Sequence, residues 1–179
     1  QGRVTRRTDP DGFATTFTYS PSGQLLEERR SDGQTRRFSF DARDRVVSET
    51  NLLGQTTRFQ YDGNDNVVAV TNALGQVTRS TYDGEDRLIR TVDALNQVRE
   101  TAYDAVGQTV AETDGLGRTT RYRYDADGNL TTVEDPEGIA IARYRYTPRA
   151  ETEREAGAYD HPLTYAYDDV GNLSSTVDP

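Results

Sequence analysis

Carboxylates that could bind a metal or take part in catalysis cluster in short segments that contain glycine. The segment YRYDADGNLTTVEDPEG, residues 122–138, holds two of them, DADG and DPEG. Each could bind a ligand, cleave a bond or simply form a reverse turn. The first three ligand spacings of a calcium loop occur twice, at Asp62, Asn64 and Asn66 and at Asp125, Asp127 and Asn129. The loop also needs Gly at its sixth position and a bidentate Glu at its twelfth, and these positions hold Val67 and Ala73, or Leu130 and Pro136. Hairpin turns therefore explain these residues better than a calcium site.

The remaining residue types form no catalytic constellation. The one histidine, His161, precedes Pro162 and has no Ser or Cys partner motif, so a loop position explains it better than a catalytic base. The chain has no cysteine, which excludes disulfides and thiolate chemistry. Among the 30 Asp and Glu residues, no pair stands out as the two carboxylates that glycoside hydrolysis requires. The sequence predicts no catalytic, cofactor-binding or metal-binding residue.

Arginine and tyrosine alternate in RYRY at residues 121–124 and again at 143–146, a pattern that nucleic-acid surfaces use. The formal net charge of −9 opposes that use. Alternate residues of a strand also point to opposite faces, which would separate the arginines from the tyrosines. We expect a solvated arginine face beside a tyrosine ladder, and no nucleic-acid partner.

Composition suits an ordered chain without one compact core. Only 33% of the 179 residues are hydrophobic, yet 11 Tyr, 5 Phe and regularly spaced Val and Leu argue against disorder. No apolar run approaches the roughly 18 residues that span a bilayer, so no membrane contact is expected. The chain begins without Met and stops at TVDP, the start of a motif seen earlier in it, and we expect it to be a fragment of a larger protein.

An internal repeat organises the whole chain, with a period of 21 residues. An aromatic residue marks each unit, with one inserted residue before the seventh, at Tyr19, Phe40, Tyr61, Tyr82, Tyr103, Tyr124, Tyr146 and Tyr167. Four residues later stand Gly23, Asp44, Asp65, Asp86, Gly107, Gly128, Ala150 and Gly171. Fourteen residues after the aromatic stand Gly33, Gly54, Gly75, Asn96, Gly117, Gly138 and Asp160, with Gly12 one unit earlier. Apart from Ala150, both series contain only residue types that tolerate a positive φ, so each unit contains two reverse turns.

Segments of about seven residues rich in Thr, Val, Tyr and Arg separate the turns and read as strands. The predicted unit is a β-hairpin with a three-residue loop and a bulge, which places each aromatic opposite the residue six positions later. The aromatic ladder is expected on one face of the sheet, with Leu26, Val47, Val68, Ile89 and Val110 on the other. The fold class is therefore all-β: antiparallel hairpin repeats forming a long curved or spiralling sheet of roughly seventeen strands. Its terminal strands would be unpaired edges that favour edge-to-edge self-association.

The elements YDADGNLTTVEDPEG, YDAVGQTVAETDGLGRTTRYRY and YDDVGNLSSTVDP resemble the YD repeat of the Rhs family, which insecticidal toxin complexes and teneurins share. The resemblance covers essentially residues 1–179, taken as a single array, with a degenerate unit at 146–166 that also contains Pro148 and Pro162. It implies a ribbon that spirals into a hollow shell around a C-terminal toxin domain. It further implies secretion or delivery from bacteria, with the rest of the shell and a secretion machinery as partners.

The resemblance also implies a chemical role for one motif, because Rhs proteins look as though they cleave themselves at an Asp-containing DPxG motif. Asp135, Pro136 and Gly138 match it, but Asp9, Pro10 and Gly12 match it equally at the equivalent place of another unit. A motif that recurs in register is first a turn. We expect a non-enzymatic shell segment that encapsulates a toxin, with a cell-surface adhesion or carbohydrate-binding module as the alternative.

Overall fold

The computed structural model describes residues 3–147, 149, 152–157, 162–168 and 170–177. This described part contains seventeen β-strands and no helix, and therefore no helix that could cross a membrane. The all-β prediction is confirmed. Ala150, Asp160, His161 and Pro148 of the degenerate unit lie outside the described residues.

The strands fall into two compact units. The first contains β1 (Arg6–Thr8), β2 (Ala14–Tyr19), β3 (Leu25–Arg30), β4 (Thr35–Phe40), β5 (Val46–Thr50), β6 (Thr56–Tyr61), β7 (Val67–Thr71) and β8 (Val77–Tyr82). The second contains β10 (Val98–Tyr103), β11 (Thr109–Thr113), β12 (Thr119–Tyr124), β13 (Leu130–Glu134), β14 (Ala140–Tyr146), β15 (Thr152–Gly157), β16 (Pro162–Tyr167) and β17 (Leu173–Val177). Strand β9 (Leu88–Val92) contributes Ile89–Thr91 to the second unit and its end residues to the first.

Each unit is an antiparallel meander. In the first, every strand from β1 to β7 pairs with the next strand in sequence. In the second, every strand from β10 to β16 does the same. The β14–β15 hairpin, where the degenerate unit begins, keeps the register shift of the regular units, between Arg145 and Tyr146.

The predicted hairpin register is confirmed. Tyr61 pairs with Val67, six residues later, and a bulge separates this pair from Gln60 and Ala69. The same arrangement recurs in the pairs Tyr19 with Leu25, Phe40 with Val46, Tyr103 with Thr109, Tyr124 with Leu130 and Tyr167 with Leu173. The aromatic residue and its partner therefore close each hairpin at its bulge.

The prediction for the second face was wrong at four of its five positions, and for Ile89 it stays a prediction. The extra residue of each bulge shifts the alternation of side chains between the two faces by one residue. As a result Phe59 pairs with Val70, and these two side chains lie on the same face. Val68 lies two residues before Val70 in the same strand and therefore shares the aromatic face. The other hairpins have the same bulged register, so Leu26, Val47 and Val110 also lie on the aromatic face.

Nearly all of the described side chains on both faces are half-buried or exposed, and none of the described residues forms a second layer over the strands. Among the described residues only Ala69, at 8% exposure, is buried. It lies on the face away from Phe59, between Gln60 of β6 and Arg79 of β8. Stability must therefore come from contacts between successive hairpins, as in other repeat proteins.

Candidate functional site: turns, tyrosine links and the aromatic face

The turns use their acidic residues as internal hydrogen-bond acceptors. In the turn at residues 62–66, the Asp62 carboxylate accepts hydrogen bonds from the backbone N–H groups of Asn64 and Asn66, at 2.9 Å each. The Asp62 N–H donates to the Asn66 carbonyl, and Asp65 adopts a left-handed φ of 71°. This arrangement joins an Asx turn to a three-residue hairpin loop and favours Asp or Asn at the first position, although in one turn the Ser20 hydroxyl accepts in the same way.

The same geometry builds both predicted series of turns. In the second series, Asn51 accepts from the N–H groups of Leu53 and Gln55, and Gly54 has a φ of 77°. Asn96, the one non-glycine in that series among the described residues, also has a positive φ, of 61°. Two series that seemed distinct in sequence are one turn design used at both rims of the sheet.

The candidate calcium ligands are engaged in these turns. The amide of Asn66 donates to Asp62 Oδ2 at 3.1 Å, and the amide of Asn129 donates to Asp125 Oδ2 at the same distance. Backbone N–H donation, chiefly from Asn129, and the Asn129 amide lower the pKa of Asp125. Across the described residues, no three His, Cys, Asp or Glu side chains are arranged to hold a metal ion.

The two DPxG segments are turns of this type. Asp135 Oδ1 accepts from the Ile139 N–H at 2.7 Å, and Gly138 has a φ of 82°. Asp9 Oδ1 accepts from the Phe13 N–H at 2.9 Å, in the equivalent place. The prediction that both motifs are turns is confirmed.

In five of the hairpins a tyrosine hydroxyl forms a link to the preceding repeat. Tyr61 Oη donates to the carbonyl oxygen of Val46 at 2.8 Å, and Tyr82 Oη donates to that of Val67 at 3.1 Å. In each case the acceptor is the first residue of a strand that follows a bulged turn, fifteen residues earlier. Equivalent bonds run from Tyr19 to Val4, from Tyr124 to Thr109 and, with one inserted residue, from Tyr146 to Leu130. Sequence reasoning missed this link, although the preference for Tyr over Phe at the marker position was a signal for it.

Side chains at the end of the first turns add a second link along the rim. Arg45 donates from Nε to Asp41 Oδ2 at 2.8 Å within its own turn, and from Nη1 to Asp65 Oδ1 at 2.6 Å in the next turn. Its guanidinium also lies 4.6 Å from the centroid of the Tyr61 ring. Asn66 reaches Asp86 Oδ1 at 2.6 Å, and Gln108 reaches the Gly128 carbonyl at 2.8 Å.

The aromatic face carries charged residues among its rings. Arg36 lies 4.7 Å from the centroid of Phe38 and pairs with Glu49 at 2.7 Å. Tyr122 Oη donates to Glu112 at 2.7 Å, and this bond raises the pKa of Tyr122 to about 12. The tyrosines of both RYRY segments are half-buried and the arginines exposed, which confirms that they occupy opposite faces.

An open groove of about 500 Å³ lies on the aromatic face of the second unit. Its lining includes Arg99, Thr101, Glu112 and Thr120, with Asp114 and Arg118 at one end. Arg118 pairs with Asp114 at 2.6 Å, and its donation lowers the pKa of Asp114 to about 2.

Known proteins share both the repeat and the fold. A crystal structure of TcdB2-TccC3-Cdc42 is 17% identical, with a TM-score of 0.64, and the alignment covers 98% of this chain and 12% of that chain. A TcdB2-TccC3 crystal structure without its hypervariable C-terminal region is also 17% identical, with a TM-score of 0.63 and the same coverage of both chains. A Tc holotoxin pore of Photorhabdus luminescens is 14% identical, with a TM-score of 0.60 over 99% of this chain and 13% of that chain.

The chain thus spans about an eighth of the length of these structures, and the likeness concerns the fold. A comparison with curated proteins finds no match. The RHS Repeat family model matches residues 1–35, 19–56, 40–73, 61–98 and 103–140, which together cover most of the chain. The chain belongs to the RHS repeat family.

Proposed function

We propose that this chain is a wall segment of an Rhs-type shell, which encapsulates a C-terminal toxin domain before delivery. The observation that carries the proposal is the tyrosine link, because at several places along the chain it joins a hairpin to the previous one in addition to strand pairing. Such a surface is held together by side-chain hydrogen bonds between hairpins as well as by strand pairing. It suits a wall better than a catalyst.

The mechanism would be passive containment. Residues 1–179 would form one array within a larger protein, with residues 146–166 as a degenerate unit, and the array would spiral with the remaining repeats around the toxin. The acidic residues would serve as turn acceptors, so the wall needs no metal or cofactor. Its partners would be the rest of the shell, the enclosed toxin and a secretion machinery, and it would be secreted or delivered from bacteria without contacting nucleic acid or membrane.

Protease protection in the full-length protein tests containment. The C-terminal segment should resist a protease that digests the same segment when it is expressed alone. A variant with Tyr61→Phe, Tyr82→Phe and Tyr124→Phe should lose part of this protection, because three links between hairpins are removed. A Val106→Asp variant changes an exposed turn tip and should keep it. A C-terminal segment that is digested at the same rate in both contexts would contradict the proposal.

The absence of self-cleavage is part of the same proposal. Asp135 Oδ1 is engaged by the Ile139 N–H, as its equivalent Asp9 is by Phe13. The intact mass of the chain should stay at 20.0 kDa after prolonged incubation. A fragment with a new terminus next to Asp135 would show that the motif is reactive.

The groove of about 500 Å³ in the second unit favours one alternative, a carbohydrate-binding module. Arg99, Thr101, Glu112 and Thr120 offer the donors and acceptors that sugar hydroxyls use. A glycan array separates the two functions, because a wall segment should show no saturable binding. Binding that Arg99→Ala abolishes would favour the module.

A further inference from the structure

The face of the first unit that lies opposite its aromatic residues carries a series of exposed arginines. We call it the arginine face, and the strand register places on it Arg6, Arg29, Arg37, Arg58 and Arg79. The other side chains that strands β1 to β8 place on this face are uncharged, apart from Glu27. Five arginines against one glutamate make this face positive, although the formal net charge of the chain is −9.

Most of these arginines have no counter-ion within the described part of the chain. Arg37 donates to Glu27 at 2.9 Å. The four that form no ion pair with any described residue are Arg6, Arg29, Arg58 and Arg79. On the aromatic face, by contrast, Arg36 pairs with Glu49 at 2.7 Å. Guanidinium groups without an acidic neighbour are suited to binding carboxylates from another molecule, because each can donate two parallel hydrogen bonds to one carboxylate.

An open groove of about 340 Å³ lies between two of the unpaired arginines, Arg6 and Arg29. Both residues pair in register with Thr16, from opposite sides, so they stand two strands, or about 10 Å, apart. The small side chains of Ala14 and Thr16 lie between them, and Ser31 also lines the groove. The described residues of this lining include three arginines and no acid. A carboxylate in the groove therefore lies within reach of more than one guanidinium group.

The composition of the arginine face favours an acidic polypeptide over other anions. Strands β1 to β8 place no aromatic side chain on it, so nucleic-acid bases and sugar rings have no surface on which to stack. Val77, its one large apolar side chain in these strands, is half-buried, so a lipid surface has no apolar anchor there. Seven acids lie at one rim, in the turns DARDR, DGNDN and DGEDR. A long polyanion would meet them, whereas a short segment can stay over the arginines.

We propose that the arginine face binds an acidic segment of a partner polypeptide. Carboxylates near one end of the segment occupy the groove between Arg6 and Arg29, and those near the other end pair with Arg58 and Arg79. Strands β1 to β8 extend over about 34 Å, a length that an extended segment of about ten residues covers. The proposal goes beyond the shell function and does not depend on it, because it rests on the charges of one face of the first unit.

Fluorescence anisotropy with a labelled decaglutamate peptide tests the charge complementarity. The whole chain should bind the peptide with a dissociation constant of roughly 10 to 100 µM at low salt, and more weakly as the salt concentration rises. Arg6→Gln and Arg58→Gln should each weaken binding by roughly three- to tenfold. Arg7→Gln is the matched control, because Arg7 is the next residue of β1, is also exposed and lies on the opposite face. This control should bind like the wild type.

Two results would overturn the binding itself: no binding of decaglutamate at about 1 mM, or equal losses of affinity for Arg6→Gln and Arg7→Gln. Decauridylate and a galacturonate decasaccharide carry a similar number of charges and test the assignment to a polypeptide. Both should bind more weakly than decaglutamate, because the arginine face offers their rings no aromatic surface. Tighter binding of either one would overturn the assignment to an acidic polypeptide.

Labelling of an introduced cysteine tests the location, because the chain has no cysteine of its own. Gln60 is exposed on the arginine face, two residues after Arg58, and it pairs with Ala69, which neighbours Arg79. Decaglutamate with a terminal maleimide should modify Gln60→Cys at least about fivefold faster than decaglutamine with the same group, because binding raises the local concentration. Val106→Cys, at an 81% exposed turn tip, should react no faster with decaglutamate than with decaglutamine. Equal rate ratios for the two cysteines would overturn the placement on the arginine face.

Discussion

The hydroxyl of Tyr61 donates a 2.8 Å hydrogen bond to the carbonyl oxygen of Val46, so that the β6–β7 hairpin is attached to the β4–β5 hairpin at its bulge. The β5–β6 pairing ends at Ser48 and Arg58, so the Val46 carbonyl lies beyond that ladder and accepts from the tyrosine instead. The tyrosine ring spans the distance while its apolar part covers the sheet. One side chain thus satisfies a backbone acceptor and joins two repeats.

Removing one of these hydroxyls should weaken the array. Tyr61→Phe keeps the ring and deletes the donor, and it should lower the free energy of unfolding by about 1 kcal/mol. Phe40 occupies the same position in the preceding hairpin without a hydroxyl, so Phe40→Tyr is the converse variant and should raise stability. Urea denaturation followed by circular dichroism measures both. Equal urea midpoints for the wild type and Tyr61→Phe would show that this hydrogen bond makes no net contribution to the free energy of unfolding.

The left-handed turn positions should tolerate Asn far better than Ala. Gly75 has a φ of 78° with no atom within 4 Å of where a Cβ would be, so backbone conformation alone decides the cost. Gly75→Ala should destabilise the chain by about 1 to 2 kcal/mol. Gly75→Asn should cost clearly less, because Asn96 adopts a φ of 61° at the equivalent position. Thermal unfolding of the two variants compares them directly, and similar losses would contradict this explanation.

Arg45 should matter more than its neighbour Arg43. Arg45 is 21% exposed, bonds to Asp41 and Asp65, and covers the Tyr61 ring. Arg43 is 61% exposed, donates to a backbone carbonyl of the next turn at 2.9 Å, and reaches the Asp65 carboxylate only at 3.7 Å. Arg45→Ala should therefore lower the unfolding midpoint, by an amount that shrinks in high salt, while Arg43→Ala should have little effect. Thermal melts at low and high salt test this prediction. Equal effects of the two substitutions would show that the contacts of Arg45 along the rim do not stabilise the fold more than those of Arg43.

The sequence was sufficient to predict the hairpins, but it was not sufficient to predict how one hairpin is joined to the next. Asp62 and Asp65 predict their turn because local backbone conformation dictates the residue types, and the Tyr61–Val67 register follows from loop length. The face of Val68 was predicted wrongly because the bulge changes the alternation by one residue, which strand periodicity alone does not include. The Tyr61–Val46 bond depends on the three-dimensional position of a carbonyl in another hairpin. Whether Arg58 has an acidic neighbour likewise appears only once the adjacent strands are in register.

Asp114 should make the second unit sensitive to acid. Donation from the Arg118 side chain, followed by the Arg118 backbone N–H, lowers the pKa of Asp114 from 3.8 to about 2. Because the folded pKa lies below the unfolded one, the stabilisation is fully present above about pH 4 and is lost as the pH falls through about 2. Asp114→Asn removes the titration but keeps the turn, since Asn51 and Asn72 accept the same backbone bonds in sister turns. The unfolding midpoint of the variant should therefore fall less steeply between pH 4 and pH 2 than that of the wild type. Asp127→Asn, at an exposed turn tip, is the matched control, and identical pH profiles for Asp114→Asn and wild type would show that this carboxylate does not couple protonation to folding.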